Sequence, residues 1–96
     1  MNKLTGNKQT DFLVLQQLTD HELGKVCQVN KYVNSLCQDN NFWLNRIVYN
    51  FKNLDHEVYN FKNLNHEEVS KMKDYLEFET FKELYQYLRN IIYRNN

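Results

Sequence analysis

Residues 80–92 read TFKELYQYLRNII, and their spacing decides the fold class. Thr80 and Glu83 stand three apart, the capping-box spacing in which each side chain satisfies a free backbone donor at a helix start. Behind them Phe81, Leu84, Tyr85, Leu88, Ile91 and Ile92 recur at i, i+3, i+4 and i+7, which is one face of an α-helix. The pattern predicts a C-terminal amphipathic helix over about 80–94. Such a stripe is expected to pack in a core, with a partner groove or a dimer seam as the other use.

The same grammar extends toward the N-terminus. Asn65-His66-Glu67-Glu68 combines a capping residue with acids in the first turn, where they favour the helix dipole. Val69, Met72 and Leu76 follow on one face. Earlier, Phe12, Leu15 and Leu18 recur every third residue after Thr10 or Asp11, either of which can cap. Thr19 and Glu22 form another capping box, opening a helix with Leu23, Val26 and then Val29 or Asn30 on a face. A third short helix is expected to carry Tyr32 or Val33 with Leu36 and Cys37. A fourth, opened by Asp39 or Asn40, is expected to carry Phe42, Trp43, Arg46 and Ile47. There is no proline and there are only two glycines, so nothing punctuates strands or hairpins. The reading is an all-α fold.

Ninety-six residues fit one small helical domain, burying roughly two-thirds of its unfolded surface. An apolar content of 42% excludes a disordered tail. No apolar run approaches a membrane span, and MNKLTGNKQT lacks the apolar core of a signal peptide. The chain is therefore expected inside a cell, in cytoplasm or nucleus. Cys27 and Cys37 are then expected to be reduced, half-buried thiols. Equal numbers of basic and acidic residues, 12 each, give no general pull toward nucleic acid. The scarcity of residues with GC-rich codons points to an AT-rich genome, as in some protists and large DNA viruses.

No constellation for catalysis stands out. His21-Glu22 and His66-Glu67 begin like a helical zinc motif, but Lys25 and Ser70 occupy the positions that need a second histidine. Ser35 and Ser70 have no nucleophile elbow around them, and no glycine-rich turn can cradle a phosphate. Neither an enzyme, a metal nor a cofactor is expected.

Residues 48–67 are VYNFKNLDHE followed by VYNFKNLNHE, one segment written twice with a single Asp/Asn difference. Ten residues turn a helix through about 1000°, so the copies cannot present matching faces on one continuous helix. Asp55 and Asn65 are each expected to start a helix, which places an additional short helix near 55–63. Phe51, Leu54, Val58, Phe61 and Leu64 recur at spacings of three and four, so it can bury a face. The duplicate is read as a lengthened connector. Tyr49, Phe51 and Lys52, repeated as Tyr59, Phe61 and Lys62, suit base stacking, but Asp55, Glu57, Glu67 and Glu68 cancel the positive field.

Residues 12–47, FLVLQQLTDHELGKVCQVNKYVNSLCQDNNFWLNRI, carry an ordered series: Leu15, Leu18, Asp20, Leu23, Val29, Lys31, Leu36, Asp39 and Phe42-Trp43. This segment, about 11–47, resembles the F-box, a three-helix module, and especially the F-box-like segments of giant DNA virus proteins. The family's usual Leu-Pro opening is absent, and Val33 stands near the place of a common second tryptophan. The resemblance implies docking on the Skp-type adaptor of a cullin–RING ubiquitin ligase, with residues 48–96, the duplicate and the C-terminal helices, recruiting a target. Leu15, Leu18, Leu23, Val26, Val29 and Tyr32 would be the partner anchors, about half of them facing outward. Leu36, Phe42, Trp43, Phe81, Leu84 and Leu88 would be structural core. The alternative use of such a fold is a self-associating or host-protein-binding scaffold without a ligase role. Nucleic-acid binding is a third.

Overall fold

The structure is a computed structural model, and it describes residues 4–57 and 59–93. Six helices and no strand occur among the described residues: α1 (Lys8–Gln16), α2 (Asp20–Val26), α3 (Lys31–Gln38), α4 (Asn40–Phe51), α5 (His66–Tyr75) and α6 (Phe81–Tyr93). The fold is all-α. None of these helices is long and apolar enough to cross a membrane. Two compact units divide the chain, Met1–Phe42 and Trp43–Asn96, and their boundary falls inside α4.

Side-chain caps set most of the helix starts. Thr19 and Glu22 form the reciprocal box at α2. Asn65 Oδ1 accepts from Glu68 N at α5. At α6 Glu83 N donates to Thr80 Oγ1 (3.2 Å), while Thr80 N donates to Glu83 Oε1 (3.1 Å). Asp39 opens α4 by accepting from Asn41 N with its side chain and from Phe42 N with its carbonyl. At α1 the cap is Asn7, whose Oδ1 accepts from Thr10 N, so Thr10 and Asp11 lie inside the helix. The carboxylate of Asp11 is engaged elsewhere, which leaves the capping position to the earlier residue.

In the first unit the buried apolar side chains are Phe12, Leu15, Leu23, Val33, Leu36, Cys37 and Phe42. The rings of Phe12 and Phe42 meet at 5.4 Å between centroids. Gln16 is also buried, and its Nε2 donates to Phe42 O, so a polar group among apolar ones keeps a partner. Lys8 pairs with Asp39. That ammonium, aided by the Asn41 N–H, holds the Asp39 carboxyl below the usual carboxylate range against the effect of burial.

The second unit is organised on Tyr85 of α6. Its ring lies 5.4 Å from Trp43 and 5.5 Å from Phe51, the Arg46 guanidinium sits 5.4 Å above it, and Asn50 Nδ2 donates to its hydroxyl. Trp43, Arg46, Ile47, Phe51, Phe61, Leu64, Val69, Phe81, Leu84, Tyr85 and Leu88 are all buried. The α6 stripe is thus spent inside this unit, and only Ile91 and Ile92 remain half-buried at its end.

The short helix expected near 55–63 does not form among the described residues, and Val58 lies outside them. Asn53 adopts a left-handed φ of 65°, which ends α4, and Leu54 N closes a turn on Phe51 O. The second copy repeats that turn: Asn63 has φ 62°, and Leu64 N bonds to Phe61 O. Asparagine tolerates the left-handed region better than other residues with a Cβ, and this glycine-poor chain uses it there. The two turns then pair. Asn53 N donates to Phe61 O (2.8 Å), Asn63 N donates to Asn53 Oδ1 (3.2 Å), and Phe51 stacks on Phe61. Identical residues therefore take different structures on either side of a shared turn. Residues 49–51 continue α4, while their counterparts 59–61 are non-helical; His66 and Glu67 open α5, while His56 and Glu57 do not start a helix.

Candidate interaction surface

The corner between α2 and α3 brings an exposed apolar residue to the surface of the first unit. Cys27 caps the end of α2, and Gln28 N and Val29 N bond back to Lys25 O and Val26 O. Asn30 then opens α3 by accepting from Val33 N, and Asn34 Nδ2 donates to Cys27 O. Between these ties Val29 projects with 66% of its surface exposed.

Cys27 and Cys37 are joined in a disulfide, with Cα atoms 5.9 Å apart. This corrects the expectation of two reduced thiols. Ten residues of separation match no sequence motif. The chain reverses at Asn30, however, and residue 37, two turns into α3, comes back beside the end of α2.

The anchors expected for a partner separate into three groups. Leu15 and Leu23, at 0% and 2% exposure, are core residues. They occupy the inward face of α1 and α2, where three short helices need apolar volume. Leu18 and Val26 are half-buried. Val29 and Tyr32 are exposed, and so is Leu13, which lies off the Phe12–Leu15 stripe. Leu36, Phe42, Trp43, Phe81, Leu84 and Leu88 are all buried.

Tyr32 is held in place by a group that sequence reasoning treated only as a cap. Its hydroxyl donates to Asp11 Oδ2, and the same carboxylate accepts from Thr5 N, Thr5 Oγ1 and Gly6 N. Asp11 has no accessible surface. Burial alone would raise its pKa, but these hydrogen bonds outweigh it and hold the carboxyl below the usual range. The Tyr32 hydroxyl is pushed up in turn, chiefly by its bond to Asp11. An aromatic anchor fixed in this way has less rotamer freedom to lose on binding.

Elsewhere the candidate groups are engaged structurally. Ser35 Oγ donates to Tyr32 O. Phe51 and Phe61, candidates for base stacking, are buried at 0% and 1% exposure, whereas Tyr49 is exposed and Tyr59 is half-buried with its hydroxyl 2.8 Å from that of Tyr87. A cleft of about 510 Å³ lies at the junction of the copies, lined among others by Asp55, His56, Tyr59 and Lys62. No group of three His, Cys, Asp or Glu side chains among the described residues could hold a metal ion. Comparison with protein families, with characterised proteins and with solved structures finds no match to the chain.

Proposed function

We propose that the chain is a non-enzymatic protein–protein interaction module, whose F-box-like segment docks on the Skp-type adaptor of a cullin–RING ubiquitin ligase. Residues 48–96 then present a target. The observation that carries the reading is the α2–α3 corner, where Val29 of the F-box-like series and the neighbouring Tyr32 are exposed while Leu15 and Leu23 are buried. Small helical domains act in this way by laying a few apolar side chains into a partner's groove.

A tagged chain incubated with a host-like lysate should retain the Skp-type adaptor and its cullin, and Val29→Asp should lose both. Leu23→Asp is unsuitable, because a charge at that buried position would unfold the unit. Retention of neither protein from a lysate that supports a control F-box protein would contradict the proposal. The scaffold reading loses its expected seam, since Phe81, Leu84, Tyr85 and Leu88 are already buried within the second unit.

A further inference from the structure

The two cysteines of the Cys27–Cys37 bond are unequally exposed. Cys37 is 3% exposed, while Cys27 is half-buried at the end of α2. A cleft of about 380 Å³ reaches Cys27 and is also lined by Gln28, Asn30, Lys31, Asn34 and Ser35, but not by Cys37. From this asymmetry we infer that the bond is a reversible thiol–disulfide exchange site, opened by a small dithiol that attacks Cys27 Sγ.

Exchange requires a thiolate to reach one sulfur while the other departs, so access decides which sulfur is attacked. Lys31 also lines the cleft, and a cation near a disulfide favours an approaching thiolate. The incoming sulfur bonds to Cys27 as the Cys27–Cys37 bond breaks, and Cys37 leaves as a thiolate that takes up a proton. The reductant's second thiolate then attacks the reductant sulfur held on Cys27. That step closes the reductant's own disulfide and releases Cys27, which is protonated. Two electrons pass from the dithiol to the chain.

Reduction removes the covalent tie at the corner. The bonds from Val33 N to Asn30 and from Asn34 to Cys27 O do not involve sulfur and remain. The corner therefore loosens locally while α2 and α3 persist, and the loosened stretch between them contains Val29. Any effect on docking rests on the proposed function; the exchange chemistry does not.

The test uses the full chain without denaturant. Dithiothreitol followed by iodoacetamide should label Cys27 while helical circular dichroism is retained. Brief exposure to reduced glutathione, quenched with acid and mapped by peptide mass spectrometry, should place the adduct on Cys27 in about tenfold excess over Cys37. Amide hydrogen exchange across residues 28–30 should accelerate about tenfold or more after reduction. A bond that opens only in denaturant, an adduct found mainly on Cys37, or unchanged exchange would each overturn the inference. None of these readouts needs a partner, so failure of the adaptor reading would leave them standing.

Discussion

Phe51 and Phe61, the same position in the two copies of the repeat, stack with ring centroids 6.1 Å apart and planes 29° from parallel. Both are buried, at 0% and 1% exposure. The duplicate is therefore built into the core of the second unit, beyond the connector role read from its sequence. Phe61→Ala should cost about 3–5 kcal/mol in chemical denaturation, as for other fully buried phenylalanines. Deleting residues 58–67 should cost a comparable amount, since it removes the same ring and the Asn53–Phe61 hydrogen bond. A single-copy chain as stable as the parent would show that the second copy is dispensable.

The Cys27–Cys37 bond closes a short loop, and its main contribution is to restrict the unfolded chain. The double variant Cys27→Ser, Cys37→Ser should lose about 2–4 kcal/mol of stability yet retain its helical signal. Thermal unfolding of the two chains side by side, without reductant, measures this. Equal midpoints would mean that the unfolded chain is not restrained by the link.

Asp11 makes the first unit acid-sensitive. Its folded pKa lies below that of an unfolded aspartate, so its contribution is present above about pH 4 and is lost as pH falls through the lower folded value. Asp11→Asn should be less stable than the parent at neutral pH. The difference between them should shrink as the solution is acidified below about pH 4. A gap that stays constant with pH would remove ionised Asp11 from the account.

Tyr59 reports at the opposite end of the scale. Its hydrogen bond to Tyr87, with burial in support, pushes its pKa up to about 12. A raised folded value means that the contribution is complete below the unfolded pKa, about 10, and is lost as pH rises through the folded one. In an ultraviolet titration of tyrosinate, a component near pH 12 should be present in the parent. It should be missing in Tyr59→Phe. The same late component in the variant would assign it to another tyrosine.

The helices were legible because caps and stripes act locally. Thr19–Glu22, Asn65 and Thr80–Glu83 need only neighbouring residues to do their work. The extra helix near 55–63 was misjudged because identical local sequences took different structures, set by what each copy is attached to. The first copy's VYNF extends the helix begun at Asn40; the second copy's HE leads into EVSKMK. Amphipathic spacing also cannot tell core from contact surface. It put Leu15 and Val29 in one set, although their exposures are 0% and 66%. The disulfide and the Asp11–Tyr32 bond depend on a chain reversal at Asn30, and no short window of residues encodes that reversal.

The central claim concerns the α2–α3 corner, and titration calorimetry of the oxidised chain against purified Skp-type adaptor tests it most directly. The parent should bind with a dissociation constant of about 10 μM or tighter, and Val29→Asp should weaken binding at least about tenfold, or roughly 1.4 kcal/mol. Circular dichroism of the variant should match the parent, because Val29 is exposed. No binding by the parent, or equal binding by a folded Val29→Asp chain, would contradict the account.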